Sequence, residues 1–147
     1  MSENARSFVV LKFGGTSVAT AERWRVIADL ARQRCAEGLR PVLVCSALAK
    51  VSDLLVRLLS AAQTGEHGPI LADVRGRHAA LAEALGIALP APVVDRLDWL
   101  ERVSEGVFLL GEVPVRTRAE VLASGELMST WLGVRALRLP AMSSLPD

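Results

Sequence analysis

Lys12-Phe13-Gly14-Gly15-Thr16-Ser17 places an ammonium group, paired glycines and two hydroxyls in one short run. Glycines allow a backbone to approach a ligand closely, and a helix start just beyond would add free N–H groups. Such a set suits a polyphosphate. The spacing is neither GxxxxGK[ST] nor GxGxxG, so the P-loop and dinucleotide readings fail. The plainer alternative is a strand-to-helix turn with a surface lysine.

A second group, Ser46-Ala47-Leu48-Ala49-Lys50-Val51-Ser52-Asp53, follows an apolar run. Ser46 and Ser52 can hydrogen-bond a small polar substrate, or they can merely cap the next helix. In the third, Ser124-Gly125-Glu126-Leu127-Met128-Ser129, a glycine interrupts a helical pattern. Glycine costs about 1 kcal/mol there relative to alanine, which points to a packing or access reason. Glu126 beside it can hold an ammonium group, or it is a solvated surface glutamate. His67 and His78 lack metal-pair spacing and read as surface or core residues. Trp24, Trp99 and Trp131 fall in helical patterns and read as packing.

These groups need elements to position them. Phe8–Phe13 reads as a buried strand stopped by Gly14-Gly15, with Thr16, Ser17 and Thr20 offering turn and N-cap hydroxyls. From Ala21 to Glu37, Trp24, Ile27, Ala28, Ala31 and Cys35 form one apolar stripe that Gly38 ends. Val42–Cys45 then reads as a second strand, covered on both faces. Strand, helix and strand within roughly forty residues make a βαβ unit with a right-handed crossover. In an open α/β sheet, ligands bind beyond the carboxyl ends of the strands, which sets the second loop beside the first.

The remainder reads as helical. Ser52 is the expected cap of Asp53–Ala62, Pro69–Leu85 ends at Gly86, and Val93–Leu110 turns Val93, Leu97, Leu100 and Val103 or Ser104 to one side. Thr117 is the expected cap of a last helix reaching Leu137. Residues Arg138–Asp147 make no convincing element. Two parallel strands leave both sheet edges open. Either further strands lie in segments read as helices, or the chain is the front part of a longer fold, which fits better.

The chain has 147 residues, of which 51% are hydrophobic and 22% charged, so general disorder is excluded. Its net charge of +1 and scattered arginines argue against a nucleic-acid or anionic-lipid surface. Mean hydropathy is high at +0.34. Yet the densest apolar stretch, Val42–Ala49, is broken by Ser46 and far shorter than the roughly 20 residues of a span. Glu3 and Arg6 leave no secretory signal, so a soluble, cytoplasmic chain is expected. Cys35 and Cys45 have no ligand or CxxC spacing and are expected as buried thiols. Lys12 and Lys50 are the only lysines among many arginines, which makes each more informative.

Taken together, Lys12–Val18 (K-F-G-G-T-S-V), Val44–Ala47 (V-C-S-A) with Val51–Leu55 (V-S-D-L-L), and Ser124–Ser129 (S-G-E-L-M-S) closely resemble aspartate kinase, a branch of the amino acid kinase superfamily. The match is ordered and covers residues 8 to 137. The arrangement around Val107–Glu126 also resembles the kinase half of bacterial enzymes fused to diaminopimelate decarboxylase.

The resemblance implies a three-layer αβα fold with a mainly parallel sheet, incomplete here, and residues 1–147 as the N-terminal portion of one kinase domain. It implies transfer of the ATP γ-phosphoryl group, with Mg²⁺, to the side-chain carboxylate of L-aspartate, opening the route to lysine, threonine and methionine. Lys12 would neutralise charge on the transferring phosphoryl group, while Gly14, Gly15 and Ser17 would cradle the phosphates. Ser46 and Ser52 would bind aspartate, and Glu126 would receive its α-ammonium group. No metal ligand is implied in this chain. Partners would be L-aspartate and ATP, with no nucleic acid or membrane and with a homo-oligomer admitted.

Two departures stand out. Threonine is usual where Ser52 stands, and Leu48–Val51 is less glycine-rich than in the family. The family's later half supplies further strands, a catalytic aspartate, a substrate-binding arginine and most of the adenine pocket, and regulatory ACT domains normally follow. The isolated chain is therefore expected to show little or no turnover in a hydroxamate assay. The competing readings are a kinase for glutamate, acetylglutamate, carbamate or a nucleotide monophosphate, and a non-catalytic remnant that binds a partner.

Overall fold

The apolar runs on either side of the first helix pair as parallel strands. In the computed structural model, which describes residues 7–138, β1 (Phe8–Phe13) and β2 (Arg40–Cys45) run in parallel. Their register sets Lys12 opposite Val44 and Phe13 opposite Cys45. The crossover α1 (Ala21–Ala36) joins them. Thr20 caps it, its Oγ1 accepting from the Arg23 N–H at 3.3 Å, and Gly38 follows its end at a φ of +79°. Both are where the sequence puts them.

Four helices follow: α2 (Val51–Thr64), α3 (Gly68–Ala84), α4 (Ala91–Leu110) and α5 (Val115–Leu137). The segments read as helical are thus helices, and no strand is hidden in them. Their apolar stripes meet around α2, which packs against α3, α4 and α5. Leu55, Leu58, Leu97, Leu100, Met128 and Leu132 are fully buried there, with Trp24 and Ile27 of α1. On α4 the polar position of the buried face is Ser104, whose hydroxyl donates to the Leu100 carbonyl at 2.8 Å.

Several expectations are corrected. The strands are not covered on both sides: α1 and α5 pack on β2 from one face only. Phe13, Leu43 and Cys45 meet the core there, while Phe8 (68% exposed), Val10 (65%), Val42 and Val44 lie open on the other face. An apolar strand records what it can bury, and the described helices reach one face. Thr117 does not cap α5, because Pro114 takes that position with its fixed φ. Ser52 does not cap α2 either. Cys35 and Cys45 are free and only half-buried, Cys35 lying in the last turn of α1 and Cys45 at the end of a one-sided sheet. The tryptophans do pack as expected: Trp24 is core, and the half-buried Trp99 and Trp131 lie against the core while also lining a groove of about 510 Å³ between α4 and α5, with Arg96 stacked 4.7 Å over Trp99. Among the described residues no helix is long and apolar enough to cross a membrane. The readings of Glu3 and Arg6 and of residues 139–147 lie outside the described residues.

Candidate functional site

The carboxyl ends of β1 and β2 deliver the first two loops to one place. The Ser46 N–H donates to the Phe13 carbonyl at 3.0 Å, extending the ladder one step beyond β2. The chain after Phe13 then turns tightly, with the Ser17 N–H donating to the Gly14 carbonyl at 2.9 Å. That leaves the N–H groups of Gly15 and Thr16 without backbone acceptors among the described residues. Ser17 is half-buried and can offer its hydroxyl.

Ala47 is the meeting point. A Cβ on Gly15 would lie 2.8 Å from the Ala47 carbonyl oxygen and 3.4 Å from the Ala49 nitrogen. A Cβ on Gly125 would lie 2.7 Å from the Ala47 Cβ and 3.4 Å from Val51 and Leu55 side-chain carbons. Both glycines are therefore required by close approach to the same buried residue. The first loop closes on Ala47 from one side and α5 from the other. This is the packing reason that a glycine inside α5 called for.

The candidate residues distribute around that junction. Lys12 is exposed and alternates with Phe13, so its side chain leaves the sheet face that carries no helix. Glu126 follows Gly125 on α5 and is exposed. Since α5 packs on β2 from the covered face, Lys12 and Glu126 flank the strand ends from opposite sides. Ser46 is half-buried beside Ala47, and Ser52 is the second residue of α2, exposed in its first turn. Gly14 is free of neighbours: nothing lies within 4 Å of a Cβ built there.

The cap of α2 is Lys50, at a φ of +68° and with no side-chain hydrogen bond to the helix. Among the described residues it alone, outside glycine, takes a left-handed φ. The sequence signals it only as one of two lysines. Ala47 carries no such signal, because a small residue after a serine gains meaning only from what closes on it. A cavity of about 290 Å³ adjoins the two loops, lined by Thr20, Leu48, Ala49, Leu81, Arg77 and small α3 residues. None of the predicted site residues lines it.

The donors assembled here are an ammonium group, hydroxyls and backbone N–H groups, which receive anionic oxygens. Among the described residues no group of three His, Cys, Asp or Glu side chains could hold a metal ion. The set of donors fits phosphate and carboxylate oxygens. His78 is remote from this chemistry. It is fully buried, donates Nδ1–H to the Val74 carbonyl at 2.7 Å, and leaves Nε2 without a partner. Burial lowers its pKa against the opposing pull of that hydrogen bond, and burial likewise raises that of the Cys45 thiol.

Residues 7–145 match the amino acid kinase family. The chain belongs to the amino acid kinase family. Within it, the chain is 33% identical over 128 residues to aspartokinase 2, chloroplastic, of Arabidopsis thaliana. That alignment covers 84% of this chain and 23% of the relative. It is 34% identical over 135 residues to lysine-sensitive aspartokinase 3 of Escherichia coli, covering 88% of this chain and 28% of the relative. The chain thus spans about a quarter of the length of these curated relatives. The fold matches the crystal structure of E. coli aspartokinase III in complex with aspartate and ADP (R-state), with a TM-score of 0.64 and 33% identity. That superposition covers 90% of this chain and 29% of the solved one. The same enzyme in complex with lysine and aspartate (T-state) gives a TM-score of 0.62. The α/β class read from the sequence is that of these kinases.

Proposed function

We propose that this chain carries the aspartate- and phosphate-binding front of an aspartate kinase. The reaction is transfer of the ATP γ-phosphoryl group to the side-chain carboxylate of L-aspartate, giving 4-phospho-L-aspartate for lysine, threonine and methionine synthesis in the cytoplasm. The carrying observation is the double closure on Ala47, which draws three separated motifs to the carboxyl end of a parallel strand pair. The aspartate and ADP bound in the E. coli relative support the choice of ligands.

Phosphoryl transfer asks a protein mainly for positioning and charge stabilisation. Lys12 meets the negative charge of the transferring group, and the free N–H groups of the Gly14–Ser17 turn hold its oxygens. Ser46 and Ser52 donate hydroxyl hydrogen bonds to aspartate, and the Glu126 carboxylate takes its α-ammonium group. Mg²⁺ bound to the nucleotide's phosphates would add to the charge neutralisation that Lys12 supplies. A homo-oligomer is compatible with this arrangement.

Titration calorimetry and thermal protection test the reading. L-aspartate and ADP should each bind and raise the melting temperature, while glutamate, acetylglutamate, carbamate and a nucleoside monophosphate should not. Protection by one of these instead of aspartate would overturn it.

A further inference from the structure

Two buried glycines of α5, Gly125 and Gly133, each reach the first loop through one intermediary residue. Gly125 closes on Ala47, whose carbonyl oxygen lies 2.8 Å from where a Cβ on Gly15 would stand. Gly133 closes on the benzo edge of the Trp24 indole, at Cζ2, Cζ3 and Cη2. From the opposite end of that ring, Nε1–H donates to the Val18 carbonyl at 3.0 Å.

These two contacts bracket the turn that offers its N–H groups to phosphate. Gly15 is held at one end, Val18 follows Ser17 at the other, and the free N–H groups of Gly15 and Thr16 lie between. Trp24 stands in the first turn of α1, its own N–H on the Thr20 carbonyl at 3.1 Å, so the ring reaches back past the cap to Val18. Val18, Trp24 and Ala47 are all buried, and a close-packed interior passes a shift on to its neighbours.

Satisfying a buried carbonyl is reason enough for an indole N–H. It does not by itself ask for a glycine at 133. The helix gives up propensity there to admit the ring, and the fit fixes where Nε1 stands. The same helix carries Glu126. We propose that Trp24 is a positioning residue: seated on Gly133, it holds Val18 and so keeps the phosphate turn in register with Glu126, while Ala47 holds the other end of the turn. Small displacements of such groups cost phosphoryl transfer heavily. This role rests on the reading of the turn as a phosphate site.

The test is calorimetric titration of the full chain with pyrophosphate, which probes the turn without an adenine pocket, and separately with L-aspartate. The variants are Trp24→Phe, Gly133→Ala and the two combined. Phenylalanine lacks both Nε1–H and the benzo edge, so Trp24→Phe should weaken pyrophosphate binding about five-fold, the scale of one neutral hydrogen bond. Aspartate affinity should stay within about two-fold, since no group removed here touches its candidate residues. Gly133→Ala should lower the melting temperature and also weaken pyrophosphate binding, by displacing the ring. In the combined variant the shorter ring leaves room for the added methyl group. Its melting temperature should therefore lie above that of Gly133→Ala, while pyrophosphate binding stays weak.

Pyrophosphate affinity that recovers along with the melting temperature would reduce Trp24 to packing and overturn the positioning role. Equal losses for both ligands would mark general loosening and overturn it as well. Unchanged pyrophosphate binding in Trp24→Phe would overturn it and leave the phosphate reading standing. A native chain that binds no pyrophosphate would remove the phosphate reading and this role with it.

Discussion

Gly125 of α5 stands against Ala47 so closely that a Cβ on the glycine would come within 2.7 Å of the Ala47 Cβ. Neither partner has a flexible end that could move aside, and Val51 and Leu55 close the same space. Gly125→Ala should therefore destabilise despite better helix propensity. Overpacking of roughly 1–3 kcal/mol outweighs a propensity gain of about 1 kcal/mol. Combining it with Ala47→Gly should restore part of the loss, which a double-mutant cycle in urea would measure. Additive effects of the two changes would refute the contact.

The paired glycines of the first loop should behave differently from each other. Gly15→Ala drives a Cβ towards the Ala47 carbonyl and should disrupt the loop and lower stability. Gly14→Ala meets nothing within 4 Å and should change stability by no more than about 0.5 kcal/mol. If Gly14 is kept small for a phosphate, the same variant should still bind ADP several-fold more weakly. Equal ADP affinity would show that Gly14 serves only the turn.

Gly133 lies against the buried Trp24 ring, where a Cβ would come 2.8 Å from Cζ3 and 3.0 Å from Cζ2. That ring is fixed from its other end, because Nε1–H donates to the Val18 carbonyl at 3.0 Å. Gly133→Ala should cost roughly 2–3 kcal/mol, the upper part of the overpacking range. Chemical unfolding would measure it, and Trp24 emission would shift to the red as the ring is displaced.

Lys50→Gly should raise stability by about 1 kcal/mol, through relief of the left-handed backbone. Lys50→Ala keeps that strain and should not. The urea midpoints of the two variants separate the backbone effect from removal of the side chain.

His78 makes stability depend on pH. Its folded pKa lies below the ordinary 6.5, so the folded state binds fewer protons than the unfolded chain. Stability is complete above about pH 6.5, falls as pH drops below that value, and levels off below the folded pKa. Each ten-fold loss of proton affinity on folding is worth about 1.4 kcal/mol. His78→Leu should flatten the melting-temperature profile between pH 7 and 5 relative to the native protein.

Most helices were legible in the sequence because their stripes and stops are local signals. Thr20, Gly38 and Gly86 mark boundaries that the structure keeps. The misread caps share one cause. Ser52 and Thr117 have the chemistry of caps, but the turn closed from Val51 to Leu48 and the fixed φ of Pro114 start those helices earlier. Sheet coverage was misread because apolar strand residues do not say which neighbours reach them. The motif residues were legible as types, and Glu126 could be placed beside a glycine that needed a reason. That Gly15 and Gly125 answer to one alanine is a long-range fact with no local trace.

The closure of α5 on Ala47 also orders events in time. The first loop and β2 are made early in synthesis, yet the residue that completes their surroundings belongs to the last described helix. Contacts between distant parts of a chain form slowly, since the intervening loop entropy is spent before they reward it. The junction around Ala47 is therefore a late product of folding. A ligand that recognises it would report that α5 has docked, and would select against molecules in which it has not.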